Sequence, residues 1–279
     1  MSQADLAPTQ FAAGPNGEHF AYRRFGDANS RPPLVLVHRT RGTIDHWDPA
    51  LLDALARDND VVLFDHPGVN RSTGTPATSV AELAEGVIAF VRALGLAQVD
   101  LLGWSLGGIV AQGVALAAPD LVRRLVLAAS TPGAVPGAPA MSDRVRSVIA
   151  RPANDDEDFL YLFFPEDAAG RAAGKASLDR LRTRLDKSNA TLSAEAVKAQ
   201  LTAIASFTGY WDRLDELALP VLLANGTRDV MISSDATYAA LRRLKAARAL
   251  LWSDAGHGFL FQHAEEFARQ VTWFLAGDL

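Results

Sequence analysis

The sequence predicts an α/β fold: a mostly parallel sheet of eight strands with helices on both faces, interrupted late by a helical insertion. Three observations carry this. Strand and helix signals alternate from residue 34 to about residue 130. The stretches 34–37 and 61–64 are continuous apolar runs, as in strands covered on both faces. The alternation then stops over 131–212 and resumes at Pro220, which divides the chain into a core of 1–130 and 213–279 and a helical cap of 131–212.

The elements follow in order. Residues 11–13 and 19–22 flank Gly14-Pro15-Asn16-Gly17 as a hairpin. After the strand at 34–37, residues 48–56 have helical spacing, and the strand at 61–64 ends at Asp65 in a turn rich in Pro and Gly. Residues 79–94 are the clearest helix. Ser79 and Glu82 stand at capping-box spacing, Leu83, Val87, Phe90, Val91 and Leu94 share a face, and Gly95 is placed to stop it. A strand at 99–102 leads into a helix from Ser105, and another strand covers 125–127. Pro132, Pro136 and Pro139 open the insertion, whose helical stretches are 177–185 and 193–207. Strands at 220–224 and 249–252 and a helix at 264–275 close the chain.

Composition excludes several classes of function. With 27 basic and 32 acidic residues the formal charge is −5, and the pairs Arg123-Arg124 and Arg242-Arg243 are too short to form a nucleic-acid footprint. The absence of cysteine excludes disulfides, thiolate metal sites and a cysteine nucleophile, and it fits a reducing compartment. Residues 1–10 lack a basic region followed by an apolar run, so no signal peptide is expected. The uncharged stretch 101–119 contains Gly103, Ser105, Gly107, Gly108, Gln112 and Gly113, and it reads as a strand turning into a buried helix rather than a membrane span. His38 and His46 have no ligand at metal-site spacing, and the glycines at 103–108 lack the Lys-Ser/Thr of a phosphate loop. The expectation is a cytoplasmic protein acting on a small molecule, without cofactor, metal, nucleic acid or membrane.

The chemistry centres on Gly103-Trp104-Ser105-Leu106-Gly107, a G-x-S-x-G pattern lying where a buried strand meets an apolar helix. Such a sharp turn exposes the serine side chain, and small residues two positions to either side let strand and helix approach. A serine hydroxyl needs a base. Downstream, His257 sits in Asp254-Ala255-Gly256-His257-Gly258, a glycine-flanked loop after a strand, whereas His263 opens the last helix as a surface residue. Asp229, in the loop after the strand at 220–224, is the expected acid. Asp254 is too close in sequence to bond the ring and is read as a turn residue; Asp235 is read as a helix start.

On these segments the chain resembles the α/β-hydrolase superfamily along nearly its whole length, and is most similar to small bacterial esterases, lactonases and cofactor-free haloperoxidases. Gly103-Trp104-Ser105-Leu106-Gly107-Gly108, Gly226-Thr227-Arg228-Asp229 and Gly256-His257 match its three catalytic segments. Asp65-His66-Pro67-Gly68-Val69-Asn70-Arg71-Ser72 resembles its D-x-x-G-x-G-x-S turn, with Asn70 at the second glycine. The resemblance implies an eight-stranded α/β-hydrolase fold and acyl transfer by Ser105, His257 and Asp229, with the oxyanion held by the amides of Thr40 and Leu106. It also exposes a departure at His38-Arg39-Thr40-Arg41-Gly42, where Arg39 replaces the usual glycine; if that position needs positive φ, the arginine is strained.

Arg39 and Arg41 admit two readings: they reach the pocket and pair with an anionic substrate group, or they point to solvent or pair with Asp45 and Asp48. Trp104, Tyr161, Phe164, Tyr210 and Trp211 are the candidates for an apolar substrate pocket; Phe159, Phe163 and Phe207 lie in the same insertion. The expected function is a serine hydrolase cleaving a carboxylic ester or lactone. Perhydrolase or haloperoxidase chemistry, C–C bond hydrolysis, and a ligand sensor with a slow triad are the alternatives.

Overall fold

The computed structural model describes residues 3–28, 31–188 and 190–278. Eight strands form one sheet: β1 Gln10–Ala13, β2 His19–Gly26, β3 Leu34–Val37, β4 Asp60–Phe64, β5 Val99–Trp104, β6 Val122–Ala128, β7 Val221–Gly226 and β8 Ala247–Trp252. Their spatial order is β1-β2-β4-β3-β5-β6-β7-β8. The pairings of β2 with β1 and β4 are antiparallel and the rest parallel. The order reverses at β3, which lies between β4 and β5. At such a switch point the loops leaving the carboxyl ends of adjacent strands diverge and open a crevice. Val37 of β3 is in register with Gly103 of β5, so the two loops that leave there are the one carrying Thr40 and the one carrying Ser105.

The helices are α1 Gln3–Leu6, α2 Pro49–Ala56, α3 Val80–Ala93, α4 Leu106–Ala117, α5 Asp143–Ile149, α6 Asp156–Phe163, α7 Ala168–Ser188, α8 Ala194–Ser206, α9 Ser234–Arg243, α10 Phe259–Gln262 and α11 Ala264–Ala276. Alternate strand residues feed two cores, as the two-residue repeat of a strand requires. Leu34, Leu36, Leu63, Leu102, Trp104 and Val126 meet α2 and α11; Val35, Val37, Val62, Leu101 and Leu125 meet α3 and α4. Each fully buried Leu, Val or Phe stabilises the fold by roughly 1.5–3 kcal/mol before chain entropy is counted. The predicted capping box of α3 is present in both halves, and Gly95, at φ +68, follows its end.

The region between β6 and β7 holds α5, α6, α7 and α8. Of these, α5 and α6 escape the apolar pattern, although Ser142 caps the first and Asp155 with Asp158 forms a capping box on the second. Helix α7 starts nine residues before the expected position 177. Its buried face is Gly170, Gly174, Ser177, Leu181, Arg184 and Ser188, a stripe of mostly small and polar residues.

Polar contacts dock this stripe. Asp48, buried at the start of α2, caps it through the Ala50 N–H and accepts from Ser177 Oγ and from both Nε and Nη2 of Arg180. Arg184 donates to Asp5 and the Ile44 carbonyl and lies 3.5 Å from Asp45, which also pairs with Arg23 at 2.7 Å. Asn70, at φ 52, takes the left-handed conformation that asparagine tolerates. Its side chain donates to Asp65 and accepts from the Thr191 N–H, so the turn after β4 is tied to the same region.

Candidate active site

Strand β5 ends at Trp104, α4 begins at Leu106, and Ser105 between them has φ 58 and ψ −122. A non-glycine residue in that region stores of order 1–3 kcal/mol of strain, and it persists only when its surroundings enforce it. Here the Ser105 N–H donates to the Ala128 carbonyl of β6, while its carbonyl accepts from the Gly108 N–H and Ser130 Oγ. The flanking glycines are required by space. A Cβ on Gly103 would overlap the Gly107 carbonyl oxygen and stand 2.5 Å from Gly108 Cα. One on Gly107 would overlap the Val37 carbonyl oxygen and stand 2.8 Å from that of His38. The strand and helix therefore touch backbone to backbone, and the serine side chain is left half-buried at the tip.

Asp229 follows β7 and His257 follows β8, in adjacent loops because β7 and β8 are adjacent. Asp229 Oδ1 accepts from the N–H groups of Met231 and Ile232, and Oδ2 lies 2.7 Å from His257 Nδ1. The two side chains are 0% and 1% exposed, so the pair is shielded from water. An acceptor-only carboxylate at Nδ1 fixes the proton there and leaves the lone pair of neutral imidazole on Nε2. That Nε2 is buried and has no hydrogen-bond partner among the described residues, so the Ser105–His257 bond expected from the sequence is not formed in this state. Such bonds are often long without substrate and tighten when it binds. The imidazole is nevertheless held on the residue preceding Ser105: Trp104 Nε1 donates to the His257 carbonyl, and the two rings are 6.0 Å apart.

A third ring completes this wall. Phe163, at the end of α6, lies edge-on to His257 at 5.4 Å and to Trp104 at 5.5 Å. Its carbonyl accepts from the Gly258 N–H, and a Cβ on Gly256 or Gly258 would stand 3.0 Å from that oxygen. The sequence places Phe163 among the insertion aromatics without showing which of them faces His257.

The loop after β3 departs from two expectations. Its left-handed residue is Arg41, at φ 58, and not Arg39. Neither arginine pairs with Asp45 or Asp48, whose carboxylates are taken by Arg23 and Arg180. Arg41 is engaged with the insertion: its N–H donates to Gln200 Oε1 of α8 at 2.7 Å, and its guanidinium donates to Asn154 Oδ1 and the carbonyls of Ile149 and Arg151. It straps the loop to the insertion. Arg39 instead turns inward, with its guanidinium 5.4 Å from the Trp104 ring centroid and 5.0 Å from that of Phe163. Half-buried Thr40 lies between them, its carbonyl accepting from Arg39 Nη1.

The other four expected pocket aromatics have these contacts. Tyr161, partly buried against the core, is covered by the Arg144 guanidinium at 3.8 Å. Phe164 is 3% exposed, packed against Phe159 and the Gly174 position of α7, and its ring tip would stand 3.1 Å from a Cβ on Gly258, beside His257. Tyr210 presses its hydroxyl against Gly113, eight residues into α4 and so roughly 12 Å along its axis. Trp211 lies under Arg243 of α9 at 4.8 Å.

Histidines support the loop from below. Burial pushes His38 down to about 4 and His46 to about 3, and holds His66 well below its usual value. Rings 38 and 66 meet edge to face at 5.1 Å. All three are neutral at pH 7. Burial pushes the Asp65 carboxyl the other way, up to about 7. The unfolded chain therefore binds protons at the histidines between pH 6.5 and about 4 that the folded chain does not, and stability falls on acidification by about 1.4 kcal/mol per pH unit per histidine. Asp65 opposes this with a single group, because its proton binds only the folded form between pH 7 and 3.8. The melting temperature is expected to drop between pH 6.5 and 4.5; a flat profile in that window would contradict the neutral buried histidines.

The sequence profile of a family described as alpha/beta hydrolase fold matches residues 32–264. The chain belongs to the α/β-hydrolase family. Among solved structures, an alpha/beta hydrolase fold protein from Chitinophaga pinensis superposes on this family member with a TM-score of 0.86, 33% identity and 98% of each chain covered. A pimeloyl-[acyl-carrier protein] methyl ester esterase from Neisseria meningitidis serogroup B is 30% identical over 271 residues, 92% of this chain and 99% of that one. A 2-hydroxy-6-oxononadienedioate/2-hydroxy-6-oxononatrienedioate hydrolase 2 from Pseudomonas putida is 29% identical over 286 residues, 98% of each. The relatives of this α/β-hydrolase are thus esterases and other hydrolases. No described helix is long and apolar enough to cross a membrane.

Proposed function

We propose that the chain is a serine hydrolase that cleaves a carboxylic ester or lactone of a small to medium substrate through an acyl-enzyme on Ser105. The observation that carries this is the buried Asp229–His257 pair, whose Nε2 is left without a partner while the His257 carbonyl accepts from Nε1 of Trp104, the residue before the strained Ser105. His257 takes the Ser105 proton as the hydroxyl attacks the carbonyl, and Asp229 orients the ring and stabilises its cation. Asp229 keeps its own position through the Met231 and Ile232 amides. The Leu106 N–H, the first of α4 and without an intrahelical acceptor, joins the Thr40 N–H in holding the oxyanion. His257 then protonates the leaving alkoxide and activates the water that frees the acid. The insertion acts as the lid, with Phe163 supplying an apolar wall.

The similarity to a methyl ester esterase supports the ester over the other bonds this machinery can break. A stopped-flow panel of 4-nitrophenyl esters from acetate to octanoate, with γ- and δ-lactones alongside, tests it. A burst of one nitrophenolate per enzyme followed by slower turnover is expected; no turnover of any ester or lactone would defeat the proposal.

A further inference from the structure

We propose that Arg39 forms an anion subsite beside Ser105, so that the preferred substrate carries a carboxylate in addition to the bond that is cleaved. The inference rests on the serine-hydrolase reading and adds the substrate class. Its first ground is position. The rings of Trp104 and Phe163 that flank His257 also receive the Arg39 guanidinium on their faces, so cation and imidazole share one aromatic enclosure.

The second ground is an unfilled fork. Of the guanidinium donors, Nη1 is given to the Thr40 carbonyl, whereas Nε is buried without any partner among the described residues. The Nε/Nη2 edge is the one a carboxylate grips side-on. Elsewhere in this molecule that edge is used for this purpose: Arg24 gives it to Asp60, Arg123 to Asp100 and Arg180 to Asp48. Among the described residues no carboxylate lies within ion-pair distance of Arg39.

The third ground is that each acid of this region already has its own nitrogen partner, although Asp45 Oδ2 takes no hydrogen bond. Asp45 serves Arg23 and Arg184, Asp48 serves Ser177 and Arg180, and Asp229 serves His257 and two amides. Burial, and after it the like charge of Arg41, lowers the Arg39 pKa to about 10, which still leaves a cation at neutral pH. Two ring faces stabilise such a cation only partly. A ligand carboxylate supplies the missing counter-charge, and the Nη1 bond to Thr40 couples it to the loop that holds the oxyanion.

The test compares the mono-4-nitrophenyl ester of adipic acid with 4-nitrophenyl hexanoate, equal in length and different in charge. The ratio of their kcat/KM values is measured in wild type, Arg39→Met and Arg39→Lys. Wild type is expected to favour the charged ester, and Arg39→Met to lower the ratio about 10- to 100-fold, chiefly through KM. Arg39→Lys, a point charge without the fork, retains part of it. A ratio within twofold of wild type in Arg39→Met, with both esters still turned over, overturns the subsite and leaves the serine mechanism standing. Failure of wild type to hydrolyse either ester strikes the serine-hydrolase reading itself. If the Arg39 variants do not fold, calorimetry on Ser105→Ala decides: monomethyl adipate is expected to bind at least about tenfold more tightly than methyl hexanoate, and equal binding overturns the subsite.

Discussion

Ser105→Ala is expected to lower ester turnover about 10⁵- to 10⁶-fold while leaving the protein folded. The bend at this residue is held by its backbone, through the Ala128 carbonyl, the Gly108 N–H and Ser130 Oγ, and alanine keeps all three bonds. Alanine also bears the same positive φ of 58°, so the strain is unchanged. The melting temperature should therefore stay within a few degrees. Ser105→Gly sharpens the comparison, because glycine adopts that φ freely and is expected to raise stability by about 1 kcal/mol with the same loss of turnover. Rates on 4-nitrophenyl butyrate and melting curves check both variants. Turnover within tenfold of wild type in Ser105→Ala would remove the serine from its role.

Gly107→Ala is expected to be the most damaging single methyl group in the core. Its Cβ would overlap the Val37 carbonyl oxygen and stand 2.5 Å from the carbon of that carbonyl. These are backbone atoms of a central strand, so relief requires α4 to part from β3. Overpacking of this kind costs about 3 kcal/mol or more, or about 10 °C in a domain of this size. Gly113→Ala on the same helix is the control. Its nearest obstacle is the Tyr210 hydroxyl, the end of a side chain that can turn away, and a loss of about 1 kcal/mol or less is expected. Any Gly107→Ala protein that stays soluble should also lose activity, since the Leu106 amide shifts with the helix. Urea titration of the two variants tests the contrast, and equal stability would show that strand and helix are not in backbone contact.

Strands β3 and β4 were legible because residues 34–37 and 61–64 are unbroken apolar runs, and the elbow was legible because its glycines have one spatial reason to be there. Asp229 and His257 could be named in advance because each ends a strand in a loop, and β7 and β8 bring the two loops together. The insertion was less legible for a physical reason. Helix α7 buries Gly170, Gly174 and Ser177, residues that leave no apolar period in a sequence. The aromatics of α6 show a second limit. Tyr161 and Phe163 are two residues apart, which on a helix separates them by about 200°; one lies under Arg144 and the other against His257. Composition cannot say which. Arg39 and Arg41 likewise stand two apart in one loop, and the left-handed turn at Arg41 sends one side chain to the insertion and the other to Trp104.

The most direct measurement is covalent capture. Wild-type protein treated with a fluorophosphonate is analysed by intact mass and peptide mapping, beside His257→Gln and Ser105→Ala. One adduct per chain on Ser105 is predicted, formed far more slowly without the imidazole and not at all without the hydroxyl. An enzyme that hydrolyses esters while Ser105 remains unlabelled, or that carries the adduct on another residue, would contradict the account.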